Sequence, residues 1–305
     1  MTIFEDKETE KKEKVGKHIN YYVLAAIFGA IVLFDITNAM EPQVDAELDF
    51  YELMRMLGFA AASIFAFAVA KRYGKSKVFG RAYLALGIGF GFYFAGELLW
   101  YVYAVGYQIE NPYPYWSDIG YFGFYPFAIY HLRTNVHFFK RQLARSQKIL
   151  LIAIPSAVTI LYIVALLVPV GMDENVIGNP SLNPEEIGEE TSTYRIAPRF
   201  FDYVWIEMSQ ERDQQYWNGV YMGTAYVAAT TVTFTYAILG AQVFRGSILG
   251  TPWGLLLLGI GLNWVADIHY YYSSIYYFDR TNPVHGIWLA STMIICYALY
   301  KHREL

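Results

Sequence analysis

"LGIGFGFYFAGELLWYVY", Leu86–Tyr103, decides how this chain is read. It carries one charge, Glu97, and no proline. With its flanks it extends over 80–104, long enough to cross a bilayer core of about 30 Å as a helix. Backbone in lipid must satisfy its own hydrogen bonds, and a run this long and uniformly apolar is no barrel strand. Seven further runs fit the same description, at 19–39, 51–70, 116–135, 148–170, 217–244, 251–277 and 284–301. The predicted fold is an all-α integral membrane protein with eight transmembrane helices. Residues 1–18 form a mixed-charge tail, 19–170 hold five spans, 171–216 form an acidic outer loop, and 217–305 hold three more spans.

Composition agrees. The 305 residues are 55% hydrophobic, 18% aromatic and 16% charged, where a soluble domain carries about 25% charged residues. The net charge of -4 argues against nucleic acid as the main partner. A single cysteine, Cys296, excludes an intrachain disulfide and a cysteine metal cluster. No His-x-x-x-His or Gly-x-Ser-x-Gly occurs, so neither a metal site nor a cofactor is expected. No small-residue cleavage site follows the first apolar run, which is expected to stay as an anchor.

Lysine and arginine set the orientation. Eighteen of the 23 fall in the N-terminal tail, in 71–81, in 133–148, and at Arg245, Lys301 and Arg303. Arg55, Arg195, Arg199, Arg212 and Arg280 fall on the other side. Both termini are therefore expected in the cytoplasm of a multi-pass cell-membrane protein. The opposite face is acidic, with "EPQVDAELDFYE" from Glu41 and the loop 171–216. Within that loop, "RFFDYVWIEMSQERDQQYW" (Arg199–Trp217) is expected to lie along the membrane surface.

"LGIGLNWVADIHYYYSS", Leu258–Ser274, resembles the opening stretch: a glycine-rich start, an acid, an aromatic end. With four spans per half, the halves would share one membrane orientation, giving two parallel four-helix repeats. Gly87, Gly89, Gly91, Gly259 and Gly261 are expected to allow close helix packing.

A carboxylate within a span is costly unless paired or wet, so each one is a candidate site. Glu97 and Asp267 fall at similar depths in their spans. Helical spacing puts Glu97 with Tyr93, Trp100 and Tyr101, and Asp267 with Asn263, Tyr270, Tyr271 and Ser274. Such a pair, brought together, would share one proton. Read structurally, the same acids are helix glue. After "NPYPYW" (Asn111–Trp116), Asp118 falls in the first turn of span four, where the helix dipole favours an anion. His285 holds the corresponding place in "TNPVHGIW". Both serve as ordinary helix-start residues, or form the rim of a pocket floored by Glu97 and Asp267, with Tyr121 in the aromatic belt or lining that pocket.

These motifs resemble those of multi-spanning N-terminal sensory regions that precede PAS, diguanylate cyclase and histidine-kinase modules. Gly96, Glu97 and Trp100 match that type's Gly-Glu-x-x-Trp stretch. Pro112, Pro114, Asp118, Tyr121, Tyr125 and Pro126 match its outer loop and Tyr-Pro pair. Ala266, Asp267, Tyr270 and Trp288 match its second half. Tyr115 and Ser117 depart from the usual serine and alanine. Only "YKHREL" follows the last apolar run, so the resemblance implies a sensor acting through a separate partner, met at 71–81 and 133–148. Its ligand-binding residues would be Glu97, Trp100, Asp118, Tyr121, Asn263, Asp267, Tyr270 and His285.

The chain is also similar to the lysoplasmalogenase family, eight-span enzymes with an essential acid in each half. Glu97 and Asp267 would then be acid and base in vinyl-ether hydrolysis, and "FAIYHLR" places His131 late in span four. That family's first acid is usually aspartate. Three function classes thus stand open: a sensory or ligand-binding module, an accessory subunit of a membrane complex, and a lipid-ether hydrolase.

Overall fold

The computed structural model describes residues 20–40, 50–103, 116–167, 211–276 and 284–305. Among them there are eight helices and no strand: α1 (Tyr21–Met40), α2 (Phe50–Arg72), α3 (Phe79–Tyr101), α4 (Trp116–Phe139), α5 (Arg145–Leu167), α6 (Glu211–Phe244), α7 (Gly250–Tyr276) and α8 (Val284–Glu304). The tail 1–18, most of the loop 171–216 and the Pro112–Pro114 stretch lie outside the described residues.

Five segments are long and apolar enough to cross a bilayer: Leu53–Arg72, Phe79–Tyr101, Arg145–Leu166, Gly219–Phe244 and Gly250–Ser273. The chain is an α-helical protein of membrane type. Helices α4 and α8, of 24 and 21 residues, are not among these five. Their polar residues turn inward: His131, Asn135, Ser291, Thr292 and His302 are all fully buried.

Local chemistry fixes the tight turns. Lys71 and Arg72 end α2, where the helix dipole favours cations. Ser76 Oγ then accepts the Phe79 N–H at 3.1 Å and starts α3. Between α6 and α7, Gly246 takes φ 81°, a conformation suited to glycine. Beside it Ser247 Oγ donates to the Phe244 carbonyl at 2.7 Å.

Six helices close a ring in the order α2, α3, α4, α6, α7, α8, and α8 returns to α2. Outside it, α1 lies against α8, and α5 lies against α6 with a lighter touch on α7. The ring interior is aromatic. Phe59 stacks on Tyr93 at 4.0 Å between centroids, Phe122 on Tyr226 at 4.0 Å, and Phe244 on Trp253 at 4.6 Å. Offset aromatic pairs of this kind add to simple area burial. Both glycine-rich starts receive a serine from a neighbouring helix: Ser63 Oγ donates to the Gly87 carbonyl and Ser291 Oγ to that of Gly259, each at 2.8 Å.

Candidate functional site

Glycine decides where α3 and α4 meet. A Cβ built on Gly120 would stand 2.5 Å from the Gly96 Cα, and one on Gly96 would stand 2.9 Å from the Ser117 carbonyl oxygen. With no side chain on either, the two backbones touch. Glu97 is next to this contact on α3, and Asp118 and Tyr121 flank it on α4. Tyr121 packs against Gly96 and lies at the Glu97 carboxylate.

Glu97 is 4% exposed and pairs with Arg55 of α2. Arg55 Nη2 donates to Glu97 Oε2 at 2.8 Å and Arg55 Nε to the same oxygen at 3.1 Å. The Arg55 side chain is itself only 12% exposed. Its guanidinium lies 5.2 Å from the Trp288 ring centroid and 6.0 Å from that of Trp100. A desolvated cation over an indole gains from the ring quadrupole, best with tryptophan.

Trp288 of α8 is a bridge. One face meets Arg55, while Nε1 donates to Asp267 Oδ1 at 2.9 Å. Asp267 Oδ2 accepts from Asn263 Nδ2 at 2.8 Å and from the Tyr125 hydroxyl at 3.3 Å. With Thr230 of α6 also at the carboxylate, Asp267, 2% exposed, is thus held by neutral donors from α4, α6, α7 and α8. Tyr270 lies 5.1 Å and His285 5.8 Å from the Trp288 ring.

Asp118 is also buried, and it faces α6. The Tyr226 hydroxyl donates to its Oδ1 at 2.7 Å. Tyr226 in turn stacks on Tyr271 at 4.6 Å and meets Tyr125 edge-on at 6.2 Å. One aromatic and hydrogen-bonded chain therefore runs from Glu97 through Arg55, Trp288 and Asp267 to Tyr125, Tyr226 and Asp118, touching six helices.

All eight residues singled out from sequence lie along this chain or against it. Each carboxylate nonetheless has partners of its own. Arg55 engages Glu97, so the expectation of one proton shared between Glu97 and Asp267 does not describe this arrangement. His269, two residues past Asp267, is exposed. Sequence reasoning missed Arg55, Tyr125, Trp288 and Tyr226 as partners of the acids. Arg55 had a signal: it lies five residues inside the predicted span 51–70, where an unpaired cation is costly. Tyr125 and Trp288 appeared only as motif matches. Nothing on one helix marked Tyr226.

The chemistry is that of a locked polar network. Among the described residues no three His, Cys, Asp or Glu side chains gather to hold a metal ion. A ligand entering here would have to exchange contacts with Arg55, Glu97 or Asp267. Comparison with known proteins finds no matching family model, no matching curated protein and no matching solved structure.

Proposed function

We propose that the chain is a membrane-embedded sensory or ligand-binding module that signals through a separate protein partner. The observation that carries this reading is the buried Arg55–Glu97 pair, tied through Trp288 to Asp267. A buried ion pair is a poor source of stability compared with apolar packing of the same volume. Its use here is as a switchable contact: a polar ligand that takes Arg55 from Glu97, or the reverse, shifts α2 against α3 and α8.

All eight helices span the membrane in this reading, with both termini cytoplasmic. The lysine and arginine partition supports that orientation. The order α2, α3, α4 followed by α6, α7, α8 around the ring fits two parallel repeats, each with one outlying helix. The partner surface is the inner edge at 71–81 and 133–148. An open groove of about 340 Å³ lies there, lined by Val78, Arg133, Thr134, His137 and Phe138.

Native mass spectrometry of the gently solubilised full chain tests this, reporting bound small molecules and co-purifying proteins. The expected result is a bound polar molecule lost in both Glu97→Gln and Asp267→Asn. Retention of the same molecule by both variants would reduce the carboxylates to helix glue.

A second reading is an accessory subunit of a membrane complex. Helix α5 favours it, since Ile149, Ile152, Ile160, Leu161 and Val164 all face outward. Purification with a stoichiometric membrane protein and no small molecule would support it. The hydrolase reading has less support, because Glu97 is held by Arg55 and Asp267 by neutral donors from four helices.

A further inference from the structure

A second polar cluster lies at the other end of the ring. Tyr83, Trp253 and His302 stand fourteen residues along their helices from Glu97, Asp267 and Trp288 respectively, about 21 Å at 1.5 Å per residue. His131 and Asn135 of α4 join them. All five side chains are fully buried. Tyr83 lies 4.6 Å from the His131 ring and 5.2 Å from that of His302. Trp253 lies 5.8 Å from His131 and 6.1 Å from His302.

Six polar atoms here have no hydrogen-bond partner among the described residues: Tyr83 Oη, His131 Nε2, Asn135 Oδ1, Trp253 Nε1, and both ring nitrogens of His302. The Ala82 carbonyl lies near the His131 ring without a well-formed bond to Nε2. Asn135 Nδ2 is already used, donating to the His131 carbonyl at 2.8 Å. Buried polar groups are nearly always paired. Leaving six of them dry would cost as much as a typical domain's whole net stability.

The cluster mixes donors and acceptors. Trp253 Nε1 only donates, Asn135 Oδ1 only accepts, and Tyr83 does both. Each neutral imidazole offers one of each. A bare cation would leave the indole N–H unmet, and the five side chains include no carboxylate to balance its charge. An anion would be repelled by the acceptors. The ring centroids lie only 4.6–6.1 Å apart, so nothing larger than water fits among them.

We propose that Tyr83, His131, Asn135, Trp253 and His302 enclose a small group of ordered water molecules that bridge α3, α4, α7 and α8. Water both donates and accepts, and one buried molecule commonly makes about three such bonds. The site is independent of the Glu97 network and of its proposed role.

The direct test is a high-resolution cryo-EM map of the purified full chain in lipid nanodiscs, with elemental analysis of the same sample. Discrete water peaks within hydrogen-bonding distance of Tyr83 Oη, Trp253 Nε1 and the imidazoles are expected. Their absence, or a stoichiometric bound metal, overturns the proposal. Tyr83→Phe gives a second readout because it deletes only the hydroxyl. If water is present the change breaks a bonded network, and Tm falls by about 2 °C. An unchanged or raised Tm means that the hydroxyl was buried dry, and counts against the site.

Discussion

The Arg55–Glu97 pair is asymmetric in what its loss would cost. Removing Arg55 leaves Glu97 as an uncompensated carboxylate at 4% exposure. Breaking one side of such a pair typically costs about 3–5 kcal/mol. Arg55→Ala should therefore lower thermal stability in detergent sharply. Arg55→Met combined with Glu97→Leu should restore much of it, because both charges go together. A double variant as unstable as Arg55→Ala would show that the pair does not act as a unit. Trp288→Phe takes one donor from Asp267 and the indole face from Arg55, a loss of about 2–4 kcal/mol. No loss of melting temperature in Trp288→Phe would mean that neither contact matters. The Asn263–Asp267 bond was legible in the sequence because both residues lie on one helix, four apart. The Arg55–Glu97 bond was not, because residues 42 apart meet only once two helices have packed.

At the scale of elements, α3 and α4 depend on the Gly96–Gly120 contact. Gly120→Ala would put a methyl where backbone now stands 2.5 Å away. The helices must then separate, at a cost of about 1–3 kcal/mol. Because Glu97 and Tyr121 flank the contact, the variant should also weaken any ligand held by the Glu97 network. Unchanged stability and binding in Gly120→Ala would refute the close approach. Gly87, Gly89, Gly259 and Gly261 do meet a neighbouring helix closely, as expected, since a Cβ on each would lie 2.8, 3.0, 2.5 and 3.1 Å from Phe67, Phe127, Ile295 and Phe234; the Gly96–Gly120 contact was not foreseen. Of the run 87, 89, 91, Gly91 alone is loosely packed, a Cβ there meeting only Ser63 Oγ at an ordinary 3.6 Å. Spacing along one helix says nothing about how near its neighbour comes. Helix α6 begins at Glu211, ahead of the apolar run from 217. Its first turns are polar, and hydropathy alone does not mark where such a helix starts.

For the whole molecule, the lysine and arginine partition predicts the labelling pattern of the loops. Single cysteines at 45, 75, 111, 140 and 190, in a background lacking Cys296, should react with an impermeant reagent at 45, 111 and 190 from outside. Positions 75 and 140 should react only after the membrane is opened. Outside labelling of 75 or 140 would sink the cytoplasmic-termini assignment. Five of the eight helices among the described residues are long and apolar enough to cross a bilayer, and all eight were legible as apolar runs. The ring was not. Composition alone could not foresee that α4 and α8 would be flanked by other helices and so tolerate His131, Asn135 and His302 inside.

Helix α4 is the one strut that carries residues of both polar centres and a proline between them. Tyr121 and Tyr125 serve the Glu97 and Asp267 end, His131 and Asn135 serve the hydrated end, and Pro126 stands between. Proline has no N–H to return to the carbonyl one turn earlier, so the strut has a soft joint at that level. Bending there costs less than elsewhere along the rod. A small tilt of the segment that carries Tyr121 can be absorbed at Pro126 without displacing His131 against Tyr83 and Trp253. The two centres are thus mechanically buffered from one another, and Pro126→Ala, by stiffening the joint, should make a disturbance at one easier to feel at the other.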